Sequence, residues 1–276
     1  MANLRDYSSF TCRLTVKSLP YFWRHEVSPH GDFCYPEEIE RCLFLWEDPM
    51  PEATLCIDLL AVVRKNLEES LRRKEIRRLE SAMADALARV DGALFARQPA
   101  KEREHIACRA GCGTCCVVNV GVLYPEALRI VRHLQQTLTP EALHQLRQRL
   151  GEMYHQTLGL DDEERLFLRK PCLFLDAAQN CSIYTVRPIL CRSVTSANAE
   201  DCRDALASVA LGEESPVLMN LLQKESWEQL FTLWGEVIEA AGLEGRSQRL
   251  VTALYQLLPQ AEPEEIFWSG ARWRSL

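Results

Sequence analysis

The sequence lacks any apolar run of about 18 residues, so no helix is expected to cross a bilayer. Its first residues, MANLRDYSSF, lack the basic start and apolar stretch of a secretory signal. Positive charge is also short. Lysine and arginine number 32 against 39 aspartates and glutamates, a formal net charge of -7, which argues against a broad electrostatic grip on nucleic acid. Long repeats and low-complexity segments are absent. What remains is a globular chain of one or two domains, expected in the cytoplasm. With 276 residues and 47% hydrophobic content, its core should not depend on metal or disulfides for all of its stability.

Against these absences stand 12 cysteines. Four fall in Cys108-Arg109-Ala110-Gly111-Cys112-Gly113-Thr114-Cys115-Cys116, with a glycine on each side of Cys112. A packed core has no need of such spacing, whereas thiolates spaced C-x3-C-x2-C can converge on a soft cation or cluster. Cys172, Cys181, Cys191 and Cys202 follow, and the eight are read as one metal-binding unit. In a reducing compartment, closely spaced cysteines point to metal or redox chemistry rather than to disulfides. Ligation by sulfur alone suits zinc or an iron–sulfur cluster and disfavours magnesium and calcium. The spacing does not choose between the first two. Cys115 and Cys116 are adjacent, and adjacent side chains tend to diverge. Either the thiols divide between two sites, or one of the pair is structural or reactive. Cations near the cysteines in sequence, Arg109, Lys170, Arg187, Arg192 and Arg203, could offset thiolate charge, with Arg187 and Arg192 favoured.

The other four cysteines, Cys12, Cys34, Cys42 and Cys56, are widely spaced and read as small buried hydrophobes. A zinc site from His25, His30, Cys34 and Cys42 is conceivable but loosely spaced.

The remaining pattern is mainly helical. Residues 11–16 alternate like a short strand, and Pro36 opens a short helix through Trp46. Residues 56–97 read as a long helix or two, breaking near Ile76, with Glu68 and Glu69 pairing to Arg72 and Arg73. Between Cys116 and Cys172 a helical hairpin is expected. One arm starts at Pro125 and the other at Thr139-Pro140, so the chain travels out and returns the second cysteine group to the first. A β-hairpin is expected over 171–184, then a turn of helix at Cys191 and a helix from Asp201 to Leu211. Further helices are expected from Ser215-Pro216, around Trp227 to Val237 with Gly242 as stop, and along Leu250, Leu254 and Leu257. The aromatic tail through Trp273 should pack on these helices or offer a surface to a protein partner. The expected architecture is a helical bundle around a cysteine-rich metal centre with a small β-hairpin. Residues 1–100 form an N-terminal helical region of no assigned role, 101–211 the metal-binding domain and 212–276 a C-terminal helical region.

The eight cysteines, together with Pro171-Cys172-Leu173-Phe174-Leu175, Cys181-Ser182-Ile183-Tyr184-Thr185-Val186-Arg187-Pro188 and Cys191-Arg192, resemble the YkgJ-type cysteine-cluster family. Its members are described as zinc- or iron-chelating proteins. The resemblance covers roughly residues 105–205 and implies metal ligation by the matched cysteines. It implies nothing for residues 1–100 or for the C-terminal helices. Flagellin lysine methylases carry a similar cluster, which gives an alternative reading as a cluster-dependent enzyme. No glycine-rich loop marks an S-adenosylmethionine site here. The C-x3-C-x2-C motif also occurs in radical S-adenosylmethionine enzymes, but this chain lacks the repeated strand–helix pattern of their barrel.

Overall fold

The computed structural model describes the backbone of residues 11–15 and residues 55, 57–213 and 215–273 in full. The expected Pro36 helix, the loose histidine–cysteine site, Cys34, Cys42 and Cys56 lie outside the described residues, as does the side chain of Cys12.

The described chain is mainly helical. In order it runs β1 (Thr11–Thr15), α1 (Ile57–Arg73), α2 (Ile76–Arg97), α3 (Ala100–Glu104), β2 (Gly121–Val122), α4 (Tyr124–Thr137), α5 (Pro140–Thr157) and α6 (Asp162–Leu168). After a 3-10 turn at Tyr184–Val186 come α7 (Leu190–Ser193), α8 (Ala199–Val209), β3 (Pro216–Asn220), α9 (Leu221–Ala240), β4 (Gln248–Arg249), α10 (Leu250–Leu257) and α11 (Pro263–Trp268).

The break expected near Ile76 falls one step earlier. Lys74 adopts a left-handed φ of 50° and Glu75 is the N-cap of α2. Glu69 alone takes both neighbouring arginines, Arg72 and Arg73, each at 3.0 Å. These are exposed pairs worth little to stability.

The expected helical hairpin is present as α4 and α5. Its second arm is capped by the Thr139 hydroxyl, which accepts from the Ala142 N–H at 3.2 Å. The first arm is the centre of the molecule: Tyr124, Ala127, Leu128, Ile130 and Val131 are fully buried. Truncating Leu128 or Ile130 to alanine would cost about 2–5 kcal/mol. Helices α1, α2, α5, α9 and α10 pack around it in one apolar cluster that also takes in Phe174, Ile183 and Ile189 from the cysteine-rich segment. The aromatic tail joins it too. Phe267 and Trp273 are buried, with ring centres 5.2 and 4.5 Å from that of Tyr124.

Two expectations change in form. No helix starts at Ser215-Pro216: Pro216–Asn220 is β3, antiparallel to β1 with Thr11 opposite Asn220 and Thr15 opposite Pro216. Proline stands at the strand's first position, where its missing N–H costs nothing. Asn220 then caps α9, its side chain accepting from the Gln223 N–H at 2.9 Å. The hairpin over 171–184 is a turn closed by a single antiparallel bridge, Leu175 with Cys181. Its strands stay short because the Cys172 N–H turns away to the Cys116 carbonyl, and the Asp176 carboxylate takes the Asn180 N–H. Among the described residues, a second two-stranded ladder pairs β2 with β4.

Candidate metal centre

The first cysteine group sits on consecutive tight turns. The N–H groups of Cys112, Cys116 and Val118 donate to the carbonyls of Arg109, Gly113 and Cys115 at 3.0, 3.0 and 3.3 Å. Gly111 has φ +84°, a conformation open to glycine and costly for other residues. Gly113 answers a different need. A Cβ there would stand 2.5 Å from Gln179 Oε1 and 2.7 Å from Leu175 Cδ2. The first cysteine loop is therefore pressed directly on the 175–181 turn. The Cys172 N–H donates to the Cys116 carbonyl at 2.6 Å, stitching the two groups together beside that contact.

The last two cysteines are brought in by different devices. Cys191 follows the 3-10 turn and Pro188. The Ile189 N–H just before it is held at 2.8 Å by Glu126, a buried carboxylate in the first turn of α4. Cys202 lies in the first turn of α8, whose N-cap Asn198 accepts from the Glu200 N–H at 2.9 Å. Between them the 194–198 segment lies against the first loop. The Ala107 N–H donates to the Ser196 carbonyl at 2.8 Å, and the Ser196 N–H donates to Cys108 Sγ at 3.2 Å. The Ser196 side chain also faces Cys202.

Proximity among the thiols shows in their mutual electrostatics. Cys108 lies in reach of Cys112, Cys115 and Cys202, while Cys191 lies in reach of Cys115, Cys172 and Cys181. Cys115 is common to both sets and is hydrogen-bonded to the Cys116 thiol. Burial pushes Cys108 up to about 11 and raises Cys172, Cys181 and Cys202. Cys191, too, is driven well above the usual thiol range by burial. For Cys115 the hydrogen bond that its thiol donates to Cys116 is the larger cause of an upward shift, with burial second, although the residue keeps exposed surface.

Two guanidinium groups stand beside these thiols. Arg187 lies near Cys115, Cys181 and Cys191 and stacks 4.2 Å over the Tyr184 ring. Arg165, only 3% exposed, lies beside Cys172 and donates from Nη2 to the Lys170 carbonyl at 2.7 Å. The buried Nε of Arg187 and Nη1 of Arg165 have no hydrogen-bond partner among the described residues. Arg192, one of the two cations favoured from sequence, turns instead to Asp91 at 3.8 Å and to the face of Trp227.

Sequence reasoning missed Arg165, Ser196 and Glu126. Arg165 is seven residues from the nearest cysteine. The polar run before α8 marks an N-cap loop but carries no sign of its contact with Cys108. Glu126 looks like an ordinary first-turn acid.

The chemistry of the donor set fits zinc or iron. Arg165 brings an unpartnered N–H to Cys172, and Arg187 brings one to Cys115, Cys181 and Cys191, where it can meet thiolate charge. Among the described residues, no three His, Cys, Asp or Glu side chains already stand in a ligand arrangement. The thiols are neighbours whose final convergence would accompany binding.

Residues 107–208 match the CxxCxxCC family model, described as a putative zinc- or iron-chelating domain. The match contains all eight cysteines of the centre, Arg165 and Ser196, and leaves most of the flanking helices outside it. No curated protein and no solved structure matches the chain. Among the described residues, no helix is long and apolar enough to cross a membrane.

Proposed function

We propose that this protein binds zinc or iron through thiolates drawn from Cys108, Cys112, Cys115, Cys116, Cys172, Cys181, Cys191 and Cys202. Residues 101–211 would form the binding unit and the flanking helices its scaffold. The observation that carries the reading is the contact of the two cysteine groups: the Cys172 N–H on the Cys116 carbonyl, with Gly113 beneath Leu175 and Gln179. Four thiolates around a divalent ion carry net negative charge, and Arg165 and Arg187 are placed to offset it. A bound metal would hold loops that have little regular structure of their own, so its affinity would add to folding stability. Elemental analysis and the visible spectrum of anaerobically purified protein test this directly. Zinc without colour identifies a zinc centre, and iron with sulfide and visible absorption an iron–sulfur cluster. Protein purified without either metal, and taking up neither on reconstitution, defeats the reading.

A further inference from the structure

The environments of the two thiol sets are unequal. Cys172 and Cys181 pack against the main apolar cluster, in contact with the layers built on α4. Cys191 is held to the same helix through the Glu126–Ile189 bond. Arg165 and Arg187, each with a buried nitrogen that lacks a hydrogen-bond partner among the described residues, stand on this side, the first beside Cys172 and the second beside Cys181 and Cys191. An orphaned donor on a 97%-buried arginine is costly unless negative charge reaches it.

The Cys108 side is built differently. Cys108 is exposed. Its loop is tied to residues 194–198 by the bonds to Ser196, and Cys202 lies beside the Asp201 carboxylate. Helix α8, which carries Cys202, packs through Ala205 and Val209 on Leu166 in a small separate cluster ringed by the partly buried Val117, Val118 and Val217. Segments with few buried apolar contacts open locally at low free-energy cost.

Resting on the metal-binding reading, we infer that the centre holds two metal ions of unequal lability. Cys172, Cys181 and Cys191 keep one permanently, against Arg165 and Arg187. Cys108, Cys112 and Cys202 hold one that exchanges with outside ligands. Cys115 and Cys116 stand between and supply the fourth thiolate of each set. The exchangeable position could pass its ion to another thiol-rich acceptor while the permanent one keeps the domain folded.

The test uses the full chain reconstituted with zinc and challenged with a chromophoric pyridylazo chelator. The expected result is two zinc ions per chain, released in two equal phases separated at least about tenfold in rate. The double variant Cys108→Ser, Cys202→Ser should retain one zinc and lose the fast phase. Arg165→Met should accelerate the slow phase and leave the fast one unchanged. Release in a single phase, or one zinc per chain, overturns the inference without touching the metal-binding reading, and wild-type protein alone decides this. Loss of both ions in the double variant, with far-UV circular dichroism intact, also overturns it. A chain that takes up no zinc or iron at all defeats the metal-binding reading itself.

Discussion

The Glu126 carboxylate accepts the Ile189 N–H at 2.8 Å with one oxygen and the Leu123 N–H at 2.9 Å with the other. One buried acid thus caps the central helix and fixes the chain two residues before Cys191. The bond spans 63 residues of sequence and joins the best-packed helix to the cysteine-rich segment.

Burial raises the Glu126 carboxyl to about 7, against the opposing effect of its two N–H donors and of Arg129 and Arg192. In the unfolded chain it titrates near 4.3. Between these values the unfolded chain holds fewer protons than the folded one, so this group's contribution to stability falls as pH rises from about 4.3 to 7. Urea unfolding across pH 5–8 should show that decline. Glu126→Gln should flatten it and, having one acceptor oxygen instead of two, should cost about 1–3 kcal/mol. An unchanged slope in the variant would assign the pH dependence elsewhere.

Two glycines distinguish local from global packing. Gly113→Val should push the 175–181 turn off the first cysteine loop, lower metal content and cost about 1–3 kcal/mol. Gly245→Ala places a Cβ against backbone, the Gly235 carbonyl and the Glu239 amide nitrogen, which have no side-chain freedom to yield. It should destabilise the protein at least as much while leaving the metal-to-protein ratio of folded protein unchanged. Elemental analysis of the two purified variants checks the contrast, and equal metal content in both would remove Gly113 from the site.

Cys112→Ser and Cys191→Ser take one thiol from each set. Each should lower the metal-to-protein ratio and raise hydrogen exchange across 105–116 and 171–202, because the loops are stitched together at Cys172–Cys116 and Ala107–Ser196. Exchange confined to the mutated half would show that the stitches do not couple them. Full metal content in both variants would show that neither is a ligand.

Thiols raised by burial are protonated at neutral pH, so metal binding should release protons. With Cys108 up to about 11 and Cys191 higher than usual, apparent zinc affinity should rise steadily from pH 6 to 8. Calorimetric titration in buffers of different ionisation enthalpy measures the number released. A value near zero would mean that thiolates, not thiols, stand ready.

Much of this protein was legible in the sequence. The glycine-flanked thiols, the Pro125 and Thr139-Pro140 helix starts and the apolar stripes of α1, α2, α9 and α10 are local signals, set by backbone sterics and by periodic burial. They fixed a mainly helical chain with a cysteine-rich centre and an out-and-back hairpin. Tertiary structure decided whatever depends on partners distant in sequence. Pro216–Asn220 became a strand because β1 supplied a ladder that its own residues do not reveal. The 171–184 hairpin shrank to one bridge because the Cys172 N–H found the Cys116 carbonyl. Arg165, and not Arg192, became a cation of the centre because burial and neighbours in space, rather than distance along the chain, determine which charge a thiol feels.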